Sequence, residues 1–544
     1  MGCFFCVLLC CCVVFFYIFA IHLTAIDMIR DLFVIAVLNV LSISMLYAYS
    51  GPDRIIPAPV EYTLSEGVYS LKCDGSDIKI YLSSPDFARK VENLPDYAKE
   101  EAYALSVGKK GVKIYALTDE GAFRGRQALE QMRLLDKDVR YCEVFDYPRF
   151  RHRGIMLDES RSFKGKAFIL KQIDALALLR MNVMHLHLTD AAGWRIQIDA
   201  YPNLTDHVAW RRGEVYHEWE ALGYPFTNAE DPQAYGGFYT KDDIREIVAY
   251  AAERHIDIIP EIEMPGHSME VNRAYPELSC VGPDGKPRPF SWDLCVGNDQ
   301  TIKFLETVLE EVIELFPYKY IHIGGDEAVK KDWEVCVNCQ RRMQEEGMSD
   351  KNGLQGYLVR HIEKFLRERG KTIIGWDEIV ETGLPEQATV MSWRGTPGGI
   401  KASSMGHDVI MSPNTYVYLD YYQDLIKKEP RAVGHLQSLR HVYSYDPVEG
   451  ISSEYHHHIL GLQGNLWCEL IPYPSHAEYM LYPRAFAIAE IGWTPQEKRE
   501  FFAFRERALA LIQVFRSLGY STFDLTNETL KAQTGRLRFD GFPL

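Results

Sequence analysis

From about residue 150 onward the chain repeats one texture, a short apolar run, then a polar loop, then an amphipathic helical stretch. The apolar runs are GIMLD, VMHLHLTD, IDIIPEIEM, YIHIGGDE, TIIGWDE, ATVMSW, DVIMSP and ILGLQGNLW. Helical stretches such as KAFILKQIDALALLRM, DDIREIVAYAAERH and QTIKFLETVLEEVIELF lie between several of them. About eight such units over about 340 residues predict a (β/α)8 barrel, the TIM-barrel form of an α/β fold.

The 544-residue chain exceeds one ordinary domain. Residues 51–148 predict a small non-catalytic α/β domain ahead of the barrel. Their short β-rich runs (GVYSLKC, IKIYLSS, AYALSVGKKGVKIYALT) precede GAFRGRQALEQMRLL, where Ala128, Leu129, Met132 and Leu135 share one helical face. The joint is FDYPRFRHR, and residues 149–544 hold the barrel with a helical C-terminal end. Residues 1–50 read as a leader. From Met28, the expected true start, an early Arg30 precedes an apolar run from Leu32 to Leu46 and small Ala48 and Ser50, the pattern of a signal peptide cleaved near Ser50. The apolar stretch before Met28 reaches the roughly 20 residues a bilayer span needs, so membrane contact is expected only if that segment is retained. The folded part is expected to be exported, whether periplasmic, cell-surface or secreted.

A formal charge of −16 argues against nucleic acid as a partner, because phosphate binding needs a basic field. Five of the 12 cysteines (Cys3, Cys6, Cys10, Cys11, Cys12) lie in the leader. The remaining Cys73, Cys142, Cys280, Cys295, Cys336, Cys339 and Cys468 are odd in number, so at least one is unpaired. Cys280 and Cys295 flank a Gly/Pro-rich loop, where export makes a stapling disulfide plausible. The CVNC of Cys336 and Cys339 reads as a disulfide, half a zinc site or a redox pair; with no second CxxC to complete a four-thiolate set, a role without metal is expected.

Reactive side chains recur where the apolar runs end. Asp158 follows GIML, Asp190 follows HLHLT, His267 follows IPEIEMPG, Asp326 and Glu327 follow HIGG, Trp376 to Glu378 follow TIIG and Trp393 follows VMS. Tyr418 and Asp420 in YVYLDYY and Trp467 and Glu469 in LQGNLWCE add to them. Barrel enzymes build their sites from this C-terminal rim. Three indoles with several carboxylates suit a pocket that grips a sugar ring. Asp326 and Glu327 can serve one pocket only where the strand has ended and the backbone turns, which Gly324 and Gly325 permit. Two acids forced together predict that one holds a proton near neutral pH.

HRGIMLDESR, MNVMHLHLTDAAGWR, PEIEMPGH, IHIGGDE, GWDE, SWRG, YLDYY and GLQGNLWCE occur in this order from about residue 150 to 470, and on them the chain resembles the family 20 glycoside hydrolases, the β-N-acetylhexosaminidases. The resemblance implies retaining, substrate-assisted hydrolysis of terminal N-acetylhexosamine, without metal or cofactor. Glu327 would be the general acid and base, and Asp326 would orient the substrate's 2-acetamido group. Arg153 would fix sugar hydroxyls, Asp190 and His267 would hydrogen-bond behind the acid, and Trp376, Trp393 and Trp467 would box the acetamido group and ring. Tyr418 would bond the acetamido oxygen, Asp420 would help position it, and Glu469 would take outer hydroxyls. A second acid common after the first is replaced here by Ala191 and Ala192. A lacto-N-biosidase-like or chitobiase-like specificity fits the same fold. Two other classes compete: a metal-dependent barrel hydrolase using His185, His187, His267 and His322, and a sugar-binding protein without catalysis. The same-strand parity of His185 and His187 weighs against the first, and the intact acid pair against the second.

Overall fold

The computed structural model describes residues 49–72 and 75–529; the leader up to residue 48 and Cys73 lie outside them. Each of the eight apolar runs contributes one strand of a closed barrel. In order the strands are His152–Asp158, Val183–His187, Asp257–Glu261, Tyr320–His322, Thr372–Trp376, Thr389–Ser392, Val409–Met411 and Ile459–Leu466. All neighbours pair in parallel, and the last strand closes on the first from Gly461 opposite His152 to Leu466 opposite Leu157. Both faces of such strands are covered, so the first strand is buried at every position.

Helices return the chain between most strands. Lys241–Ala252 starts with a capping box in which Thr240 and Asp243 satisfy each other's backbone N–H. Asp299–Leu315 is capped by Asn298, whose side chain accepts from the Gln300 N–H. The alternation breaks between the fifth and sixth strands, where only a short 3-10 turn, Asp377–Glu381, intervenes.

Inside the barrel, Glu261 gathers three histidines from two other strands. Its carboxylate accepts from Trp376 Nε1 at 2.7 Å and lies 2.9 Å from His322 Nδ1 and 3.1 Å from His185 Nε2, with His187 Nδ1 also bonded to it. Burial would protonate Glu261, but the imidazoles of His322, His187 and His185 hold it well below the usual carboxylate range. These histidines are engaged in the barrel interior and do not line the pocket.

The small domain is a five-stranded sheet ordered Glu61–Ser70, Asp138–Asp146, Tyr103–Gly108, Gly111–Ala116, Ile78–Leu82. The helix Asp119–Leu135 lays Ala128, Leu129 and Met132 on Tyr103, Leu105, Val107 and Ile114, the face read from the sequence. Buried charge joins this domain to the N-terminal end of the barrel. Glu101 pairs with Arg124 Nε at 2.9 Å and with Arg153; Asp146 pairs with Arg180 at 2.6 Å and accepts from Tyr103 and Trp493.

Arg153, expected at the sugar, belongs to this junction. Its guanidinium also donates to the carbonyls of Phe150 and Arg180 and is entirely buried. It stands at the start of the first strand, whereas the rim is at the other end, five residues or roughly 16 Å further on.

The expected Cys280–Cys295 disulfide is absent. Both are unbridged and share a buried cluster with Cys336 and Cys339, because the helix Val337–Glu345 packs the CxxC segment against that loop. Among the described residues no helix is long and apolar enough to cross a membrane.

Candidate active site

A pocket of about 180 Å³, open to solvent, lies at the C-terminal rim. Its lining includes nine of the eleven residues singled out from the sequence, all but Arg153 and the buried Asp190, together with Arg161. Asp190 lies directly behind, touching Arg161 and His267.

The acid pair stands on the turn after the fourth strand. The strand stops at His322, and Gly324 and Gly325 adopt φ of +65° and +96°. A Cβ at Gly324 would lie 1.9 Å from the Glu263 carboxylate, so only glycine fits. Gln355 braces the turn by donating to the Gly325 carbonyl at 2.7 Å. Glu327 itself has φ +45°, a strained value for a side-chain-bearing residue. Asp326 is buried, while the Glu327 side chain is 60% exposed at the mouth.

His267, on the loop after the third strand, connects this pair to the barrel. Its Nδ1 lies 3.1 Å from Asp190, and its Nε2 lies 3.4 Å from both Asp326 and Glu327. Asp190 is itself gripped by Arg161 at 2.6 Å. Burial disfavours charge on His267, but Asp190 and Asp326 outweigh it and raise its pKa well above the usual histidine value. The hydrogen bond from His267 in turn lowers Glu327. At Glu327 this runs against the expectation that adjacency would raise an acid of the pair. The raised groups are instead the imidazole and neighbouring carboxyls. Burial, reinforced by Asp326, pushes Glu263 well up and takes Glu378 to about 8.

Aromatic side chains from four successive strand ends form the walls. Trp393 stacks on Tyr418 with ring planes 12° apart, and Trp467 contacts both Tyr418 and Trp376. Each indole is oriented. Trp376 Nε1 donates to Glu261, Trp393 Nε1 donates to Glu378 at 3.0 Å, and the Arg161 guanidinium lies 4.9 Å from the Trp467 ring centre. Asp326 Oδ1, Asp420 Oδ1 and Glu469 Oε2 are buried with no protein partner. Three unpaired acceptors converging on an aromatic box suit a ligand rich in O–H and N–H donors. Burial and mutual repulsion raise Asp420, and burial raises Glu469 despite Arg161.

Sequence reasoning missed Arg161, which stands at the pocket where Arg153 was expected and offers a planar fork of donors there. The signal was available, since Arg161 follows Asp158 by three residues at the rim end of the same HRGIMLDESR motif. Glu263 was also missed, and Glu378, placed at the rim by GWDE, was given no role, because their importance comes from proximity to Asp326. Ala191 and Ala192, which stand after Asp190, pack in an apolar cluster with Trp219 and Met269.

The chain is 42% identical over 426 residues to a β-hexosaminidase of Porphyromonas gingivalis, covering 75% of this chain and 53% of that protein. A β-hexosaminidase of Akkermansia muciniphila is 33% identical, with 75% of this chain and 82% of that protein covered. The chain thus spans about half the length of the first relative and most of the second. The crystal structure of a GH20 exo-β-N-acetylglucosaminidase from Vibrio harveyi in complex with N-acetylglucosamine superposes with a TM-score of 0.74 at 28% identity, covering 88% of this chain and 79% of that one. The profile of glycosyl hydrolase family 20, catalytic domain, matches residues 150–496, the eight barrel strands and the rim they carry, and the chain belongs to that family.

Proposed function

We propose that the protein is an exo-acting hydrolase that releases terminal non-reducing β-linked N-acetylglucosamine or N-acetylgalactosamine from oligosaccharides or glycoconjugates, with retention of configuration. The observation that carries this reading is that Asp326 and Glu327 both reach one nitrogen, His267 Nε2, at 3.4 Å, beside an aromatic box. Both acids therefore approach a bound sugar from one wall. A two-carboxylate retaining enzyme needs its nucleophile across the ring from its acid. The substrate's own 2-acetamido oxygen fills that role here.

Glu327, receiving its proton through His267, protonates the glycosidic oxygen as the acetamido carbonyl oxygen bonds to the anomeric carbon. Asp326 accepts the acetamido N–H and opposes the positive charge growing on the oxazolinium ion. The Glu327 carboxylate then takes a proton from the water that opens this ion, returning the acid to its starting state. Tyr418 donates to the acetamido oxygen with Asp420 beside it, and Arg161 and Glu469 hold the outer hydroxyls. Trp376, Trp393 and Trp467 cover the apolar faces of the ring and acetamido group.

A panel of aryl glycosides tests the mechanism. Wild-type protein is expected to turn over the N-acetylglucosaminide and not the plain glucoside, and Glu327→Gln to lose about 10²–10⁴-fold in rate. Equal activity of wild type and Glu327→Gln would sink the reading. On the signal read at residues 28–50, the protein acts after export. N-terminal sequencing of the mature protein is expected to find cleavage near Ser50.

A further inference from the structure

We infer that Cys280, Cys295, Cys336 and Cys339 form a four-thiolate zinc site that anchors the loop behind the acid pair. The four are fully buried, and their sulfurs all lie within 4.8 Å of one another. Three edges of the cluster are 3.8 Å (Cys280–Cys339), 3.6 Å (Cys295–Cys336) and 3.7 Å (Cys295–Cys339). A tetrahedral ion with Zn–S bonds of about 2.3 Å requires edges of about 3.8 Å. A disulfide requires sulfurs about 2.05 Å apart, so these are not two bridges. Packing alone brings sulfurs together in pairs; four converging on one point from three separate chain segments make a ligand set.

The surroundings favour thiolates. Cys336 is the residue just before the helix Val337–Glu345 and Cys339 sits in its first turn, where the positive end of the helix dipole stabilises negative sulfur. The Val281 N–H points at Cys336 Sγ at 3.4 Å. The two strands of the knot press backbone to backbone, since a Cβ at Gly297 would lie 2.2 Å from the Asn338 carbonyl carbon. Zinc binding replaces four S–H bonds with four Zn–S bonds and releases the protons to solvent, with no redox step.

The knot bears on the acid loop directly. Asp293, two residues before Cys295, accepts the backbone N–H groups of Val329 and Lys330, just after Glu327. Trp333 Nε1 donates to the Leu294 carbonyl at 2.9 Å. The ion is therefore structural, holding residues 291–297 against 329–339.

Purified full-length protein, never exposed to chelator, is expected to carry one zinc per chain by elemental analysis. Its four thiols should react with a disulfide reagent only after a mercurial or chelator releases the metal. Protein grown with cobalt should show the intense visible bands of a tetrahedral cobalt(II) thiolate, a readout on wild type that does not depend on whether Cys336→Ser folds. Cys142→Ser and Cys468→Ser should leave the metal content unchanged. Metal-free protein with two disulfides by intact mass, metal-free protein with four free thiols, or iron in the cage would each overturn the assignment.

Discussion

Replacing Arg161 and Arg153 separately by methionine distinguishes two buried arginines of one motif by what each loses. Arg161 lies at the pocket, 2.6 Å from Asp190 and 3.4 Å from Asp158, with its plane near Trp467. Hydrogen bonds from a charged group contribute about 1.5–3 kcal/mol each. If the guanidinium gives one or two of these to sugar hydroxyls, Arg161→Met costs about 1.5–6 kcal/mol, or about 10- to 10⁴-fold in kcat/KM. Arg153 touches no pocket residue; its change leaves Glu101 with Arg124 alone and two backbone carbonyls without donors. Breaking a buried pair in this way costs about 3–5 kcal/mol of stability. The assay pairs kcat/KM on a chromogenic N-acetylglucosaminide with thermal unfolding of each variant. Arg161→Met should lose activity while remaining folded, and Arg153→Met should unfold at lower temperature with KM unchanged. A raised KM for Arg153→Met at wild-type stability, or kcat/KM for Arg161→Met near wild type, would refute the placement of the two side chains.

Other outcomes follow from the same geometry. His267, raised by Asp190 and Asp326 against its burial, should retain the pair's proton above the usual histidine pKa, so kcat/KM should fall only on the alkaline side of that value. In His267→Asn the hydrogen bond that lowers Glu327 is gone and the proton must reside on Glu327, so the alkaline limb should move to lower pH; an unmoved limb would exclude the relay. Burial and Asp326 push Glu263 well up toward its neutral form, so the isosteric, uncharged Glu263→Gln should leave kcat within a few-fold of wild type, whereas a large loss would mean that its charge is used. Gly324→Ala drives a Cβ into Glu263 at a positive φ, and it should destabilise the protein by about 1–3 kcal/mol, read by denaturant unfolding.

Local pattern carried a large part of the molecule. The eight apolar runs became the eight barrel strands because a strand buried on both faces must be apolar along its length, and that requirement is written residue by residue. The face of Ala128, Leu129 and Met132 was legible for the same reason at helical spacing. The rim residues were legible because a polar side chain ending an apolar run has few other places to go. Arg153 shows where this reasoning stops. It shares a motif with Arg161, and motif membership does not say which end of the strand a residue occupies or which domain waits there.

The sequence by itself determined the barrel, the position of Asp326 and Glu327 on a glycine turn, and the indoles of the pocket, since each follows from periodicity or backbone freedom within a few residues. Only the tertiary structure decided which carboxylates hold the His267 pKa up, which arginine lines the pocket, and that Cys280 and Cys295 meet Cys336 and Cys339. The physical reason is common to all three. Electrostatics and metal geometry act through space over a few ångströms, and those neighbours come from strands and loops 41 to 77 positions apart in the chain, as with Asp190 and His267 or Cys295 and Cys336.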